Sequence, residues 1–111
     1  AFAQTKARSL HRRGTSSRLT RQKLMMAGVD GGTLDEALEG LDIELDVTPT
    51  QREQRAAAAL ARRRRLGPYR PAEERKDHRL RDLATMARAG FAYDVARKVV
   101  DAVSPDALDE T

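Results

Sequence analysis

The sequence repeats itself at a spacing of 62 residues, and this repeat limits the possible folds more than any other feature. The run 24–41 (LMMAGVDGGTLDEALEGL) returns in weaker form at 86–103 (MARAGFAYDVARKVVDAV). Seven positions correspond without a gap: Leu24 with Met86, Gly28 with Gly90, Val29 with Phe91, Leu34 with Ala96, Ala37 with Val99, Leu38 with Val100, and Leu41 with Val103. A glycine between two stretches of helical apolar periodicity, met twice at one spacing, is typical of a repeated helical hairpin. Repeats of this kind usually form extended surfaces that bind other macromolecules.

The residue composition agrees with a fold made only of helices. Ala, Leu, Arg, Glu and Gln favour helix, and no alternating strand pattern is present in the sequence. We therefore predict an all-α fold of two tandem three-helix repeats that form a short curved solenoid. The predicted units are a repeat over 1–41, an acidic connector over 42–49, a second repeat over 50–104 and a frayed tail over 105–111.

Glycines are predicted to end the first two helices of the first repeat. Gly14 follows the opening helix, and Gly28 supplies the left-handed position after the second helix. One residue of the segment 15–17 caps the second helix, and either Asp30 or Thr33 caps the third. The apolar positions predicted to face inward are Phe2, Ala3, Ala7, Leu10, Leu19, Leu24 and one of Met25 and Met26.

The second repeat is predicted to open with a longer helix. Thr48 and Pro49 fit the start of a helix that runs to about residue 65, where Gly67 and the following prolines interrupt it. Gly90 ends the next helix, and the last helix covers residues 94–103. The apolar positions predicted to face inward are Ala56, Ala59, Leu60, Leu80, Leu83 and one of Met86 and Ala87, with Phe91 and Tyr93 anchoring the last turn.

The charges of the chain come in blocks that follow the repeat. Residues 1–29 carry seven Lys or Arg and no acid, and residues 30–46 carry seven acids and no base. Residues 51–81 carry eleven bases against four acids, and residues 82–111 carry three bases against six acids. This order predicts a basic face from the first helices of each repeat and an acidic face from the last. The basic blocks favour a polyanion or an acidic protein as the partner; the alternative is that the arginines only keep alanine-rich helices in solution.

The sequence gives no support to an enzyme or a metal site. Because it has no cysteine, disulfides and thiolate metal sites are excluded. His11 and His78 have no metal-ligand spacing and are predicted to be exposed helix residues. No nucleophile is paired with a base in a known motif, so no enzyme, cofactor or metal is predicted. The sequence has no apolar run near the about 20 residues that span a bilayer, and its N-terminal stretch has no apolar h-region of a signal peptide. Both observations predict a cytoplasmic protein without membrane contact.

Three strings of the sequence carry a resemblance to a known family. They are KARSLHRRGTSSRLTRQKLMMAGVD (6–30), RRRRLGPYR (62–70) and MARAGFAYDVARKVVD (86–101). The first string contains the turn at Arg13 and Gly14, which precedes a basic helix. The second string contains an arginine-rich helix end, and the third contains the turn 90–94. Together they resemble the RecX family of regulatory proteins in its alphaproteobacterial form. One departure is Ala92, where the family more often has a capping serine.

The resemblance to RecX implies tandem three-helix repeats, commonly three. On that basis the repeats at 1–41 and 50–104 correspond to the second and third, and the chain is expected to be a fragment that lacks the N-terminal repeat. The implied function is a regulator that lies in the groove of the RecA–DNA filament and inhibits ATP hydrolysis, strand exchange and co-protease activity, in DNA repair, recombination and the SOS response. The implied partners are the RecA nucleoprotein filament and the backbone of single- or double-stranded DNA, with the chain acting as a monomer.

The contact residues expected from this resemblance are all basic. They are Lys6, Arg8, Arg12, Arg13, Arg18, Arg21, Lys23, Arg62, Arg63, Arg64, Arg65 and Arg70. An alternative function is a stand-alone helical nucleic-acid-binding module whose basic face contacts the phosphate backbone without a protein target. The chain has only two Phe, two Tyr and no Trp, which argues against stacking on bases. A third alternative is a purely structural helical adaptor.

Overall fold

The computed structural model describes residues 2–109, and every element in that range is a helix. The elements are α1 (Phe2–Arg12), α2 (Ser17–Met26), α3 (Gly31–Leu45), α4 (Pro49–Arg64), a 3₁₀ helix (Gly67–Tyr69), α5 (Ala72–Arg88), α6 (Tyr93–Val100) and α7 (Pro105–Asp109). This confirms the predicted all-α class and the helical repeats. The molecule is elongated, with principal extents of 45 × 26 × 20 Å.

Capping side chains fix where three of these helices begin. The Ser16 hydroxyl accepts a hydrogen bond from the backbone N–H of Leu19 at 3.2 Å, and the Asp30 carboxylate accepts one from the backbone N–H of Thr33 at 2.8 Å. Helix α3 therefore starts after Asp30, and the alternative start after Thr33 is wrong. Thr48 forms a full capping box with Gln51, with bonds of 3.1 and 2.9 Å, and Pro49 occupies the first turn as predicted.

The helices enclose two separate apolar cores, which we call unit 1 (α1–α3) and unit 2 (α4–α7). The core of unit 1 consists of Ala3, Ala7, Leu24, Leu34, Ala37 and Leu38. The core of unit 2 contains Ala56, Ala57, Leu60, Ala61, Leu66, Leu83, Met86, Phe91, Val95, Ala96, Val99, Val100 and Leu108. Repeated positions match in both: Leu24 and Met86 are buried, as are the pairs Leu34–Ala96, Ala37–Val99 and Leu38–Val100.

One repeated pair differs strongly in exposure. Leu41 is 5% exposed and lines a small cavity together with Arg52 and Ala56 of α4, whereas Val103 is 81% exposed. Helix α7 begins at Pro105 after Ser104, as α4 begins at Pro49 after Thr48, but α7 has only five residues.

Two predicted boundaries are wrong in ways that the backbone explains. Helix α3 continues to Leu45, so the first four residues of the predicted connector are helical, and Asp46 ends the helix in the left-handed conformation with φ +55°. The predicted frayed tail is helical to Asp109, and Leu108 is only 8% exposed in the core of unit 2. A single buried leucine thus keeps this tail folded; residues 110–111 lie outside the described range.

Several apolar residues predicted to face inward are exposed. Phe2 is 59% exposed, Met25 61%, Met26 83%, Leu80 77% and Tyr93 61%. Successive residues of a helix differ by about 100° in direction, so each helix buries a narrow stripe and leaves the next residue outside. In α2, for example, the buried stripe is Thr20 and Leu24, and both methionines fall beside it.

The two units meet through glycine turns. Gly14 has φ +86°, and a Cβ there would stand 2.5 Å from the backbone nitrogen of Leu60 in α4. Gly90 has φ +92°, and a Cβ there would stand 2.5 Å from the Ser16 Oγ. Because both turns touch the opposite unit so closely, only glycine fits at either position.

Polar side chains at the start of α4 also join the units. Arg52 donates to the Asp42 carboxylate at 2.7 Å, and the two side chains are only 11% and 13% exposed. Arg52 also donates to the Ser17 Oγ at 3.2 Å. Glu53 accepts from the Ser17 backbone N–H at 3.1 Å and from its hydroxyl. Charge-assisted hydrogen bonds in a partly buried site stabilise a structure more than surface ion pairs do. These bonds therefore hold α4, the first helix of unit 2, against unit 1.

Candidate binding surface

Most of the basic residues predicted as contacts are exposed. Ten of the twelve are exposed, and Arg8 and Arg70 are half-buried. Nine of the exposed residues form no ion pair with any carboxylate in the part of the chain that the structure describes. These unpaired bases are Lys6, Arg12, Arg13, Arg18, Lys23, Arg62, Arg63, Arg64 and Arg65.

Two predicted contacts are paired with acids of α3. Arg8 lies 3.0 Å from Glu44, and Arg21 lies 2.6 Å from Asp35. All four side chains are more than 40% exposed, so each pair is worth about 0–1 kcal/mol and opens readily. Neither arginine contributes an uncompensated charge to the surface.

Arg70 forms an ion pair within unit 2. Its Nε and Nη2 donate to the two oxygens of Asp82, each at 2.8 Å, and the backbone N–H of Gly67 donates to the same carboxylate at 2.8 Å. Burial of Asp82 opposes its charge, but these donors outweigh it and hold the pKa of Asp82 below its usual value. The bond to Asp82 likewise raises the pKa of Arg70.

The junction between the units brings the two basic blocks together. Arg13 adjoins Gly14, whose Cα is placed against the backbone of Leu60. Arg64 lies one helical turn beyond Leu60 on α4. The arginines of the α1–α2 turn and those of the α4 C-terminus therefore lie at one junction, although they are about fifty residues apart in the sequence.

Sequence reasoning missed the residues that fasten this junction. Arg52 and Glu53 follow a capping box, and no local pattern distinguishes them from ordinary solvent-exposed charges. His11, predicted to be exposed, lines a cavity of about 10 Å³ between the units. Burial and the nearby charges of Arg52 and Arg55 hold the pKa of His11 below its usual value.

The described residues offer no other type of site. Among residues 2–109 no group of three or more His, Asp or Glu side chains is arranged to hold a metal ion. None of the described helices has the length and apolarity needed to cross a membrane.

The fold and surface place the chain among the all-α helical-repeat proteins, and comparison with known sequences narrows this class to one family. The family model for the second three-helix domain of RecX matches residues 1–38. The chain is 41% identical over 102 residues to the regulatory protein RecX of Myxococcus xanthus, covering 91% of this chain and 51% of that protein. It is 32% identical over 109 residues to the regulatory protein RecX of Agrobacterium fabrum, covering 98% of this chain and 54% of that protein.

The chain belongs to the RecX family. It spans about half the length of the curated relatives it matches. Both relatives are named as regulatory proteins rather than enzymes. No solved structure matches the chain.

Proposed function

We propose that this chain binds the RecA–DNA filament and inhibits the recombinase, ATPase and co-protease activities of RecA. Membership of the RecX family supports the proposal, because resemblance to that family implies a regulator of RecA. The observation that carries it is the set of nine exposed bases without a carboxylate partner among the described residues. Uncompensated positive charge on this scale attracts a polyanionic assembly.

The shape of the molecule suits such a partner. A body 45 Å long presents bases from α1 and α2 in one unit and from α4 in the other. Repeat proteins of this kind lie along extended partners, since successive units offer successive contacts. The bonds of Arg52 and Glu53 keep the units in one orientation, which lets both contact a helical filament together. In this proposal the chain acts as a monomer.

A binding experiment tests the proposal. The fluorescently labelled chain is titrated with RecA filaments formed on long single-stranded DNA with a slowly hydrolysed ATP analogue, with free DNA, and with free RecA. The proposed function requires tighter binding to the filament than to either component alone.

A charge-reversal variant shows whether the basic surface carries that binding. Reversing the run 62–65 to glutamate should abolish filament binding without changing the helical circular dichroism. Equal affinity for free DNA and for the filament would contradict the proposed function and favour a stand-alone nucleic-acid-binding module. Unchanged filament binding by the variant would remove the run from the interface.

A further inference from the structure

A groove of about 400 Å³ opens between α5 and the end of α6 in unit 2. Helix α5 contributes three bases to its lining, Arg75, Lys76 and Arg79, and the segment 100–103 forms the opposite wall. None of the twelve basic residues predicted as contacts lines this groove. It is therefore a different surface from the one at the unit junction.

Three lining residues of the groove have counterparts in unit 1 at the 62-residue spacing of the repeat. The pairs are Arg79 with Ser17, Val100 with Leu38, and Val103 with Leu41. In unit 1 the three counterparts line the small cavity at the unit junction together with Arg52 and Ala56 of α4. The Glu53 carboxylate of the same helix accepts a hydrogen bond from the Ser17 backbone N–H at 3.1 Å. In unit 1, therefore, a helix that carries an acid and an alanine lies on this surface.

The equivalent surface of unit 2 is open at its apolar end. Val103 is 81% exposed, whereas its counterpart Leu41 is 5% exposed. Leu80 follows Lys76 by one turn on the same face of α5 and is 77% exposed. Protein interfaces usually have an apolar centre inside a polar rim, whereas contacts to a phosphodiester backbone are mainly ionic. The groove therefore fits a protein segment better than a nucleic-acid strand.

Two bases of the groove keep an uncompensated charge. The Arg75 guanidinium donates to three backbone carbonyls, those of Pro68 and Val103 at 2.9 Å each and that of Arg70 at 3.2 Å. A guanidinium has five N–H donors, so two remain for a ligand. Neither Arg75 nor the exposed Lys76 forms an ion pair with a carboxylate among residues 2–109.

Among the described residues, one carboxylate lines the groove, and it is already paired. Asp101 accepts from Nε and Nη2 of Arg79 at 2.7 and 2.9 Å. The exposed acids Glu73, Glu74 and Asp77 of α5 do not line the groove. Three bases against one acid leave a net charge of +2 in the lining, which complements an acidic segment.

We infer that this groove binds an acidic helix of a partner protein, in the place on unit 2 that α4 takes on unit 1. A carboxylate of that helix accepts from the remaining donors of Arg75 and from the ammonium of Lys76. A small apolar side chain of the helix packs on Val103, as Ala56 of α4 does beside Leu41. The inference goes beyond the proposed function, because this contact needs neither RecA nor DNA.

The test titrates the ¹⁵N-labelled chain with a synthetic peptide and follows the backbone amide resonances by NMR. The peptide is an amphipathic helix of about 18 residues, since shorter isolated helices are marginal in water, with glutamates along one edge of an alanine–leucine face. Resonances of the segments 75–80 and 100–103 should shift. A matched peptide with lysine in place of every glutamate should bind at least about tenfold more weakly.

Four variants with paired controls locate the contact. Lys76→Glu should weaken binding of the glutamate peptide by on the order of tenfold, whereas Arg81→Glu, the same charge change on another face of α5, should have less than about a twofold effect. Val103→Ser should weaken binding by about fivefold, whereas Ile43→Ser, an equally exposed position of unit 1, should leave it unchanged.

Three outcomes would overturn the inference. The first is the absence of shifts in these segments at a millimolar concentration of the glutamate peptide. The second is equal affinity for the glutamate and lysine peptides, or equal effects of each variant and its control. The third is tighter binding of a single-stranded oligonucleotide than of the glutamate peptide at these same segments, which would assign the groove to nucleic acid.

Discussion

Gly28 and Gly90 occupy equivalent positions in the two units. An alanine substitution at either position adds the same backbone strain, but only Gly90 is packed against the other unit. Their φ angles are +90° and +92°. A Cβ at Gly28 would meet no atom within 4 Å, whereas a Cβ at Gly90 would stand 2.5 Å from the Ser16 Oγ and 3.4 Å from the Leu19 Cγ. The two substitutions therefore differ in one respect, the contact between the units.

The expected losses of stability follow from these contacts. The left-handed conformation costs a residue with a Cβ about 1–2 kcal/mol, which is the loss expected for Gly28→Ala. Gly90→Ala carries the same cost and also displaces Ser16, which is fully buried and caps α2 through the Leu19 N–H at 3.2 Å. Loss of such a cap costs about 0.5–2 kcal/mol, so Gly90→Ala should lower the free energy of unfolding by about 1.5–4 kcal/mol in total.

Urea denaturation followed by circular dichroism at the helix band measures both variants against the original chain. Gly90→Ala should be the less stable variant by about 0.5–2 kcal/mol, and its melting temperature should be lower by several degrees. Equal losses for the two variants would refute the close packing of the Gly90 turn on unit 1. No loss in Gly28→Ala would refute the left-handed helix end at that position.

Three further predictions concern stability. Arg70→Ala leaves the buried Asp82 carboxylate without its partner and should cost about 3 kcal/mol in urea denaturation; a loss under about 1 kcal/mol would contradict the ion pair. The pKa of His11 lies below its usual 6.5 in the folded chain, so the unfolded chain binds a proton more readily and the free energy of unfolding should fall as the pH drops below 6.5. Urea denaturation at a series of pH values should show a smaller fall for His11→Gln. An identical pH dependence in both would place His11 outside the junction. Ala92→Ser should add the missing cap of α6 and raise stability by about 0.5–1 kcal/mol, and a destabilised variant would contradict the extended cap geometry at this residue.

Local signals in the sequence predict the helix starts and ends well. Ser16 and Thr48 precede helices as capping residues, and Gly28 and Gly90 adopt the left-handed conformation expected after a helix. These features depend on a few adjacent residues, so they can be predicted without knowledge of the tertiary contacts. The end of α3 is an exception: the first repeat was predicted to end at residue 41, but the helix continues to Leu45, and Asp46 takes the left-handed conformation without being a glycine.

Contacts between distant residues are not visible in such signals. Asp82 resembles an ordinary acid of an amphipathic helix, yet it is completely buried because the guanidinium of Arg70 reaches it from the preceding turn. Arg70 itself is basic and follows an arginine run, which made it a candidate contact. The Gly14–Leu60 approach is likewise a property of the assembled units, and it helps to bring the two basic blocks to one place.

The measurement that most directly tests the central claim is RecA-catalysed ATP hydrolysis dependent on single-stranded DNA, with this chain titrated in at two salt concentrations. The account predicts inhibition at well below one chain per RecA protomer, weaker at the higher salt because the contact is ionic. The variant with residues 62–65 reversed to glutamate should not inhibit. Unchanged hydrolysis at a saturating concentration of the folded chain would contradict the claim that this part of the RecX fold regulates RecA.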